Sequence, residues 1–204
     1  GATQAIFTAI AAFVRPGDEV IVFEPVYDSY VPAIETVGGT AVYAQLTFPG
    51  YVPDWAQVAQ LISPKTRMII VNSPHNPTGS LLTAVDREKL AKLITGTNIL
   101  VLSDEVYEHI LFDGETHASL CTHPQLAART LVVSSFGKTF HITGWKIGYV
   151  VGPAELMAEF RKVHQFNVFT VHGPSQLALA EYMQDADRHL RLAVIMTRGG
   201  RIGP

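Results

Sequence analysis

The sequence predicts an α/β fold: a mainly parallel sheet flanked by helices, in three layers (α/β/α). Two observations carry this expectation. Short apolar runs alternate with segments of helical periodicity through most of the chain, the order that builds a parallel sheet covered on both faces. Polar residues also cluster just past the ends of several runs, where ligands of such sheets sit. With 204 residues, 48% of them apolar, the chain is long enough to bury a large core.

The elements follow in order. Apolar and small residues recur at helical spacing over 3–14, and Pro16-Gly17-Asp18 then turns the chain into a strand at 19–23. A helix is expected at 29–37 and a strand at 40–44. Pro49-Gly50 marks a turn, a helix covers 55–62, and a strand covers 68–72. Before the next helix, at 84–94, Thr83 and Asp86 have the spacing of a capping box, with an acid shorter than the usual Glu or Gln. Strands at 99–103, 130–134 and 147–151 complete the sheet, and helices at 153–168 and 174–183 close the pattern.

Charge and composition exclude several functions. The net charge is −3, with no run of like charge, so neither a nucleic-acid surface nor a polyanion site is expected. The longest apolar runs fall far short of the ~20 residues of a membrane span, so no membrane partner is expected. Cys121, the single cysteine, has no intrachain partner, which suits a reducing, cytoplasmic setting. The 8 histidines form no His-x-x-x-His spacing and no Cys-x-x-Cys accompanies them, so no metal site is expected. His109 and His141 lie near the loops of interest and are candidates for substrate contact. Neither a Gly-x-Gly-x-x-Gly fingerprint nor a Gly-x-Ser-x-Gly elbow is present. The chain opens at Gly1-Ala2-Thr3 directly into an apolar-periodic segment, without a methionine, and is expected to be a piece of something longer.

The densest chemical signal is Ser135-Phe136-Gly137-Lys138 followed by Gly144-Trp145-Lys146-Ile147-Gly148. A lysine amine condenses with aldehydes, and a neighbouring cation favours its reactive free base. Lys146 could be that cation while itself holding a phosphate. Asn76 lies in a proline-punctuated loop after one strand, Asp104 and Tyr107 follow a second, and Ser135 and Lys138 follow a third. Each has a plainer explanation: Asn-Pro as a turn, Asp104 as a helix N-cap, Ser135 as a backbone-capping serine. Together they fit one cofactor.

The ordered set Gly1-Ala2-Thr3, Pro25-Val26-Tyr27, Asn76-Pro77-Thr78-Gly79, Asp104-Glu105-Val106-Tyr107, Ser134-Ser135-Phe136-Gly137-Lys138 and Thr143-Gly144-Trp145-Lys146-Ile147-Gly148-Tyr149 resembles the large domain of the class I and II aminotransferases, fold type I pyridoxal phosphate enzymes. Asp104-Glu-Val-Tyr-Glu-His and Ser-Phe-Gly-Lys-Thr-Phe-His resemble the methionine and kynurenine aminotransferase-like branch. The resemblance covers about residues 1–185, a cofactor-binding large domain lacking its first strand. An atypical tail, 186–204, stands where a C-terminal small domain should begin, so the domain is incomplete at both ends.

The resemblance implies roles. Lys138 would carry pyridoxal phosphate as a Schiff base and move a proton between substrate and cofactor carbons. Asp104 would keep the pyridine nitrogen protonated, Asn76 and Tyr107 would hydrogen-bond the phenolic oxygen, and Tyr27 would stack on the ring. Ala2 and Thr3 backbone amides, the Ser135 hydroxyl and Lys146 would bind the phosphate. Many relatives carry arginine at the Lys146 position. Lysine acts there as a point charge rather than a two-point fork. The implied activity moves an amino group between an amino acid, such as methionine, an aromatic amino acid or kynurenine, and a 2-oxo acid, in a homodimer at full length. A carbon–sulfur lyase, an ACC synthase-like enzyme or the aminotransferase-like module of a transcription regulator are alternatives. The arginine that relatives use for the substrate carboxylate has no counterpart in the matched region, so the chain alone is expected to show little activity.

Overall fold

A computed structural model of the chain describes residues 1–190. Seven strands form one sheet in the order β3-β2-β1-β4-β5-β6-β7. Its centre is parallel: β1 (Glu19–Glu24), β2 (Thr40–Thr47), β4 (Thr66–Asn72), β5 (Leu100–Asp104) and β6 (Thr130–Ser135). The edges are antiparallel, with β3 (Val52–Pro53) on β2 and β7 (Gly148–Val151) on β6. The sheet is mainly parallel, as expected. β3 is additional, a two-residue strand that ends on a proline and is too short for any periodic signal.

Successive side chains of a strand face opposite sides of the sheet, and here both sides are dry. Val20, Val22, Met68, Ile70, Leu100, Leu102, Leu131 and Val133 point into one core. That core is covered by α1 (Ala2–Phe13), α2 (Tyr30–Thr36) and α7 (Ala154–Asn167). Ile21, Phe23, Ile69, Val71 and Val101 point into the other, under α3 (Trp55–Leu61) and α4 (Ala84–Leu93). This two-sided burial is why the strands read as continuous apolar runs rather than alternating ones.

Helix ends follow their local chemistry. Thr83 and Asp86 form the full capping box at the start of α4: Asp86 N donates to Thr83 Oγ1 at 3.2 Å and Thr83 N donates to Asp86 Oδ2 at 2.9 Å. Asp86 Oδ1 also accepts from Trp55 Nε1 at 2.8 Å, tying α3 to α4. Two short helices went unanticipated, α5 (Pro124–Ala127) and α6 (Phe136–Thr139), each only one turn. α8 (Gly173–Tyr182) packs Leu179 against Phe140 and Ile147 in a small separate core. Among the described residues no helix is long and apolar enough to cross a membrane. Of the tail expected at 186–204, residues 191–204 lie outside the described residues.

Candidate active site

The carboxyl ends of β4, β5 and β6 and the start of α1 converge on a cavity of about 180 Å³. Every residue nominated from the sequence for cofactor binding lines it. Asp104 and Tyr107 come from the end of β5, Asn76 from the loop after β4, and Tyr27 from the loop after β1. Ser135, Lys138 and Lys146 come from the β6–β7 connection, and Ala2 and Thr3 from the first turn of α1. A larger neighbouring cavity, about 480 Å³, shares Asn76 and Tyr107 and is otherwise lined by the 74–81 and 110–115 loops. The smaller one brings together the Lys138 amine, the buried Asp104 acid and the Ser135 and Lys146 side chains. His109 and His141 are exposed and line neither cavity.

Asp104 ends β5 and is only 5% exposed. Its Oδ2 accepts from the Tyr30 hydroxyl at 2.6 Å and its Oδ1 from Val106 N at 3.2 Å. It caps no helix, since α-helical structure does not resume until α5. Burial pushes its carboxyl above the ordinary value. The Tyr30 and Val106 hydrogen bonds oppose that shift, and the neighbouring Glu105 charge adds to it. Among the described residues no ion pair involves Asp104. A buried carboxylate supplied with donors but no cation can accept a further hydrogen bond from a cationic group.

The β6–β7 connection explains how two lysines eight residues apart reach one cavity. β6 ends at Ser135, α6 carries Lys138, a 3₁₀ turn spans Thr143–Trp145, and the chain returns antiparallel, with Ser135 opposite Gly148. Thr143 Oγ1 donates to Gly137 O at 3.0 Å, closing the loop on itself. Lys146 sits in the left-handed region at φ 56°. A Cβ on Gly148 would lie 2.6 Å from Ser134 O and 3.3 Å from Ala2 N, so only glycine lets α1 begin this close to the strand. The first amides of α1 have no intrahelical acceptor and carry the positive end of its dipole. The Ser135 side chain makes no capping bond to α6, so the capping explanation does not hold for it.

Lys138 Nζ lies 6.0 Å from the centre of the Tyr107 ring. Burial and then the Asp104 charge push the Tyr107 hydroxyl above its ordinary value, which keeps it a hydrogen-bond donor. Asn72 Oδ1 accepts from Asn76 N at 2.7 Å, and Asn72 Nδ2 donates to Asp104 O at 2.9 Å, fixing the 73–79 loop against β5. The Tyr27 and Tyr30 rings meet edge to face at 5.5 Å. One wall of the cavity therefore presents an aromatic face, one end presents anion-binding groups, the buried side presents a carboxylate and the rim an amine. Such a set can hold a flat, phosphorylated, nitrogen-containing aldehyde.

Sequence reasoning missed Tyr30 and Asn72. Tyr30 is 3% exposed, and a buried tyrosine needs a partner for its hydroxyl, which was the available signal. Asn72 closes an otherwise apolar strand, and a polar side chain there also needs one. Cys121 is exposed on a short 3₁₀ turn, Leu120–Thr122.

Comparison with known proteins adds the following. The family model described as Aminotransferase class I and II matches residues 1–198. Methionine aminotransferase of Escherichia coli is 51% identical over 189 residues, covering 93% of this chain and 49% of that protein. Rat kynurenine–oxoglutarate transaminase 1 is 36% identical over 201 residues, covering 93% of this chain and 47% of its own length. The solved structure of E. coli YbdL, identified with a methionine aminotransferase function, superposes with a TM-score of 0.94 at 49% identity, over 98% of this chain and 53% of that one. N-succinyldiaminopimelate aminotransferase of Mycobacterium tuberculosis gives a TM-score of 0.94 at 38% identity, again over 98% and 53%. The chain thus spans about half the length of the relatives it matches.

Proposed function

This chain belongs to the class I and II aminotransferase family, and from that premise we propose that it forms the cofactor-binding domain, residues 1–185, of a pyridoxal phosphate-dependent aminotransferase. The whole protein would move an amino group between an amino acid and a 2-oxo acid. Its donors would be methionine or kynurenine, which the names of the E. coli and rat relatives carry, or an aromatic amino acid. The observation that carries the reading is the presence of buried Asp104 and the Lys138 amine on one small cavity.

When bound, pyridoxal phosphate supplies an aldehyde carbon for amines and a ring that withdraws electrons from the substrate α-carbon. Lys138 would be the residue that holds the group through its amine, and the same amine would hold or move a proton beside the reacting carbons. Asp104 would hold a proton on the ring nitrogen, an interaction that would relieve the cost of its own burial. Asn76 and Tyr107 would donate to the phenolic oxygen, and Tyr27 would stack on the ring. Ser135, Lys146 and the amides at Ala2 and Thr3 would hold the phosphate.

A cytoplasmic setting is part of this proposal, and the single cysteine, which has no intrachain partner, supports it. A homodimer is supported by Phe166, Phe169 and Leu177, which are 88%, 76% and 75% exposed on the α7–α8 side. A panel of amino acids and 2-oxo acids assayed on the complete protein tests the activity. Amino-group exchange without release of ammonia or thiol is expected; elimination products alone would assign the site to a lyase.

A further inference from the structure

Beneath the cavity, three elements meet at one carboxylate. The backbone ladder between β5 and β6 ends at Asp104 and Val133, with one last bond from Glu105 N to Val133 O at 2.8 Å. The chain then turns, Glu108 N donating to Glu105 O at 2.9 Å, and places Tyr107 on the cavity. Glu108 Oε1 accepts from Ser134 Oγ at 2.7 Å and also from the Tyr149 hydroxyl. Ser134 and Tyr149 stand directly opposite each other on β6 and β7. Ser134 is fully buried and precedes Ser135, so the two serines face opposite sides of the sheet and the clamp works from behind the cavity.

Burial and then the bond to Glu108 push the Tyr149 hydroxyl well above its ordinary value, so it is a donor to the carboxylate and not a competing anion. Glu105, Glu108 and His117 bring ligand atoms within 4.8 Å of one another. Their atoms are committed elsewhere, however. Glu105 accepts from Ser103 Oγ at 2.8 Å and Leu120 N at 3.1 Å and pairs with His117 at 2.7 Å, while Glu108 holds the two hydroxyls.

We propose that Glu108 is a positioning residue for the cofactor site. Its carboxylate bolts the turn that carries Tyr107 to the two strands whose connection carries Ser135, Lys138 and Lys146. One oxygen shared by hydroxyls from adjacent strands fixes both strands and the turn at once. Two charge-assisted bonds to a half-buried carboxylate are strong enough to hold such a joint. Without them the Tyr149 hydroxyl loses its acceptor, Ser134 Oγ keeps only Glu105 O at 3.2 Å, and the Tyr107 turn is released from β7 and loosened on β6, altering the spacing between Tyr107 and Lys138. This proposal rests on the functional reading above.

The test uses the complete protein with pyridoxal phosphate and the variants Glu108→Ala, Glu108→Gln, Ser134→Ala, Tyr149→Phe and Tyr107→Phe. Three quantities are measured: the cofactor dissociation constant, the pH at which the bound cofactor's absorbance band changes, and the melting temperature without cofactor. Glu108→Ala should raise the dissociation constant about tenfold, the scale of one lost hydrogen bond to a charged group. It should also move the spectral midpoint to higher pH, as Tyr107→Phe should, and add nothing further in the double variant. Loss of a negative charge alone would move that midpoint the other way. Glu108→Gln keeps an acceptor oxygen and should stay within about threefold of wild type, with Ser134→Ala and Tyr149→Phe in between; these two report on the joint even if Glu108→Ala does not fold. Unchanged binding and spectrum in Glu108→Ala, or in both hydroxyl variants, would overturn the proposal, as would a lowered melting temperature with no spectral shift. A wild-type protein with no cofactor band would overturn the functional reading and this proposal with it. A normal wild type with silent variants would overturn this proposal alone.

Discussion

The Tyr30 hydroxyl donates to Asp104 Oδ2 at 2.6 Å across 74 residues of chain, joining the first turn of α2 to the end of β5 inside the core. Both side chains are buried, and this bond favours the charged form of the carboxylate there. It opposes the upward push that burial exerts on Asp104.

Tyr30→Phe should therefore raise the Asp104 carboxyl further and weaken its hold on a proton-bearing ring nitrogen. The loss of a hydrogen bond to a charged group corresponds to about 1.5–3 kcal/mol, or roughly a ten- to hundredfold fall in kcat. Steady-state kinetics of the complete protein measure it. Wild-type turnover would show that Tyr30 only packs.

Asp104→Asn should separate stability from function. A carboxyl whose folded pKa lies above its unfolded value, about 3.9, carries no penalty below that value. The penalty grows as pH rises through the folded value, because the unfolded chain releases its proton more readily. Without cofactor, the Asn variant should thus melt higher than wild type at pH 8, with the difference closing towards pH 4. With cofactor its turnover should fall by several orders of magnitude, as should that of Asp104→Ala. Melting curves at the two pH values and one kinetic assay check both halves.

Lys146→Ala should weaken pyridoxal phosphate binding by about 1.5–3 kcal/mol, and free phosphate should compete less well. Fluorescence titration of the complete protein measures it. An unchanged dissociation constant would move the phosphate site away from the β6–β7 connection.

Asp86→Ala removes half of the α4 capping box and the acceptor of Trp55 Nε1, and should cost about 1–2 kcal/mol of stability. Burial alone would raise this carboxyl, but the Thr83 and Trp55 hydrogen bonds outweigh it and the folded pKa lies below the ordinary value. Its contribution is present above the unfolded value of about 3.9 and is lost as pH falls through the folded one. Denaturant melts at pH 7 and pH 3 should therefore show the variant's deficit shrinking in acid.

What the sequence disclosed, and what it hid, follows from the range of each interaction. Runs such as Ile69, Ile70 and Val71 announce a strand buried on both faces, and Thr83 with Asp86 announces a helix start, because both signals are local. Tyr27, Asn76, Asp104, Tyr107, Ser135 and Lys138 could be nominated because they follow such runs within a few positions. The antiparallel return of β7 was not legible, since an apolar run has no direction. The bonds Tyr30–Asp104 and Glu108–Tyr149 were equally hidden. They join residues 74 and 41 positions apart, and nothing near either partner marks the other.

The central claim is that Lys138 is the amine that holds the cofactor. The most direct measurement is borohydride reduction of the complete protein with pyridoxal phosphate, followed by peptide mapping. The account predicts the phosphopyridoxyl label on Lys138 and its loss in Lys138→Ala with the fold retained. Label on another lysine, Lys146 included, or no label at all would contradict it.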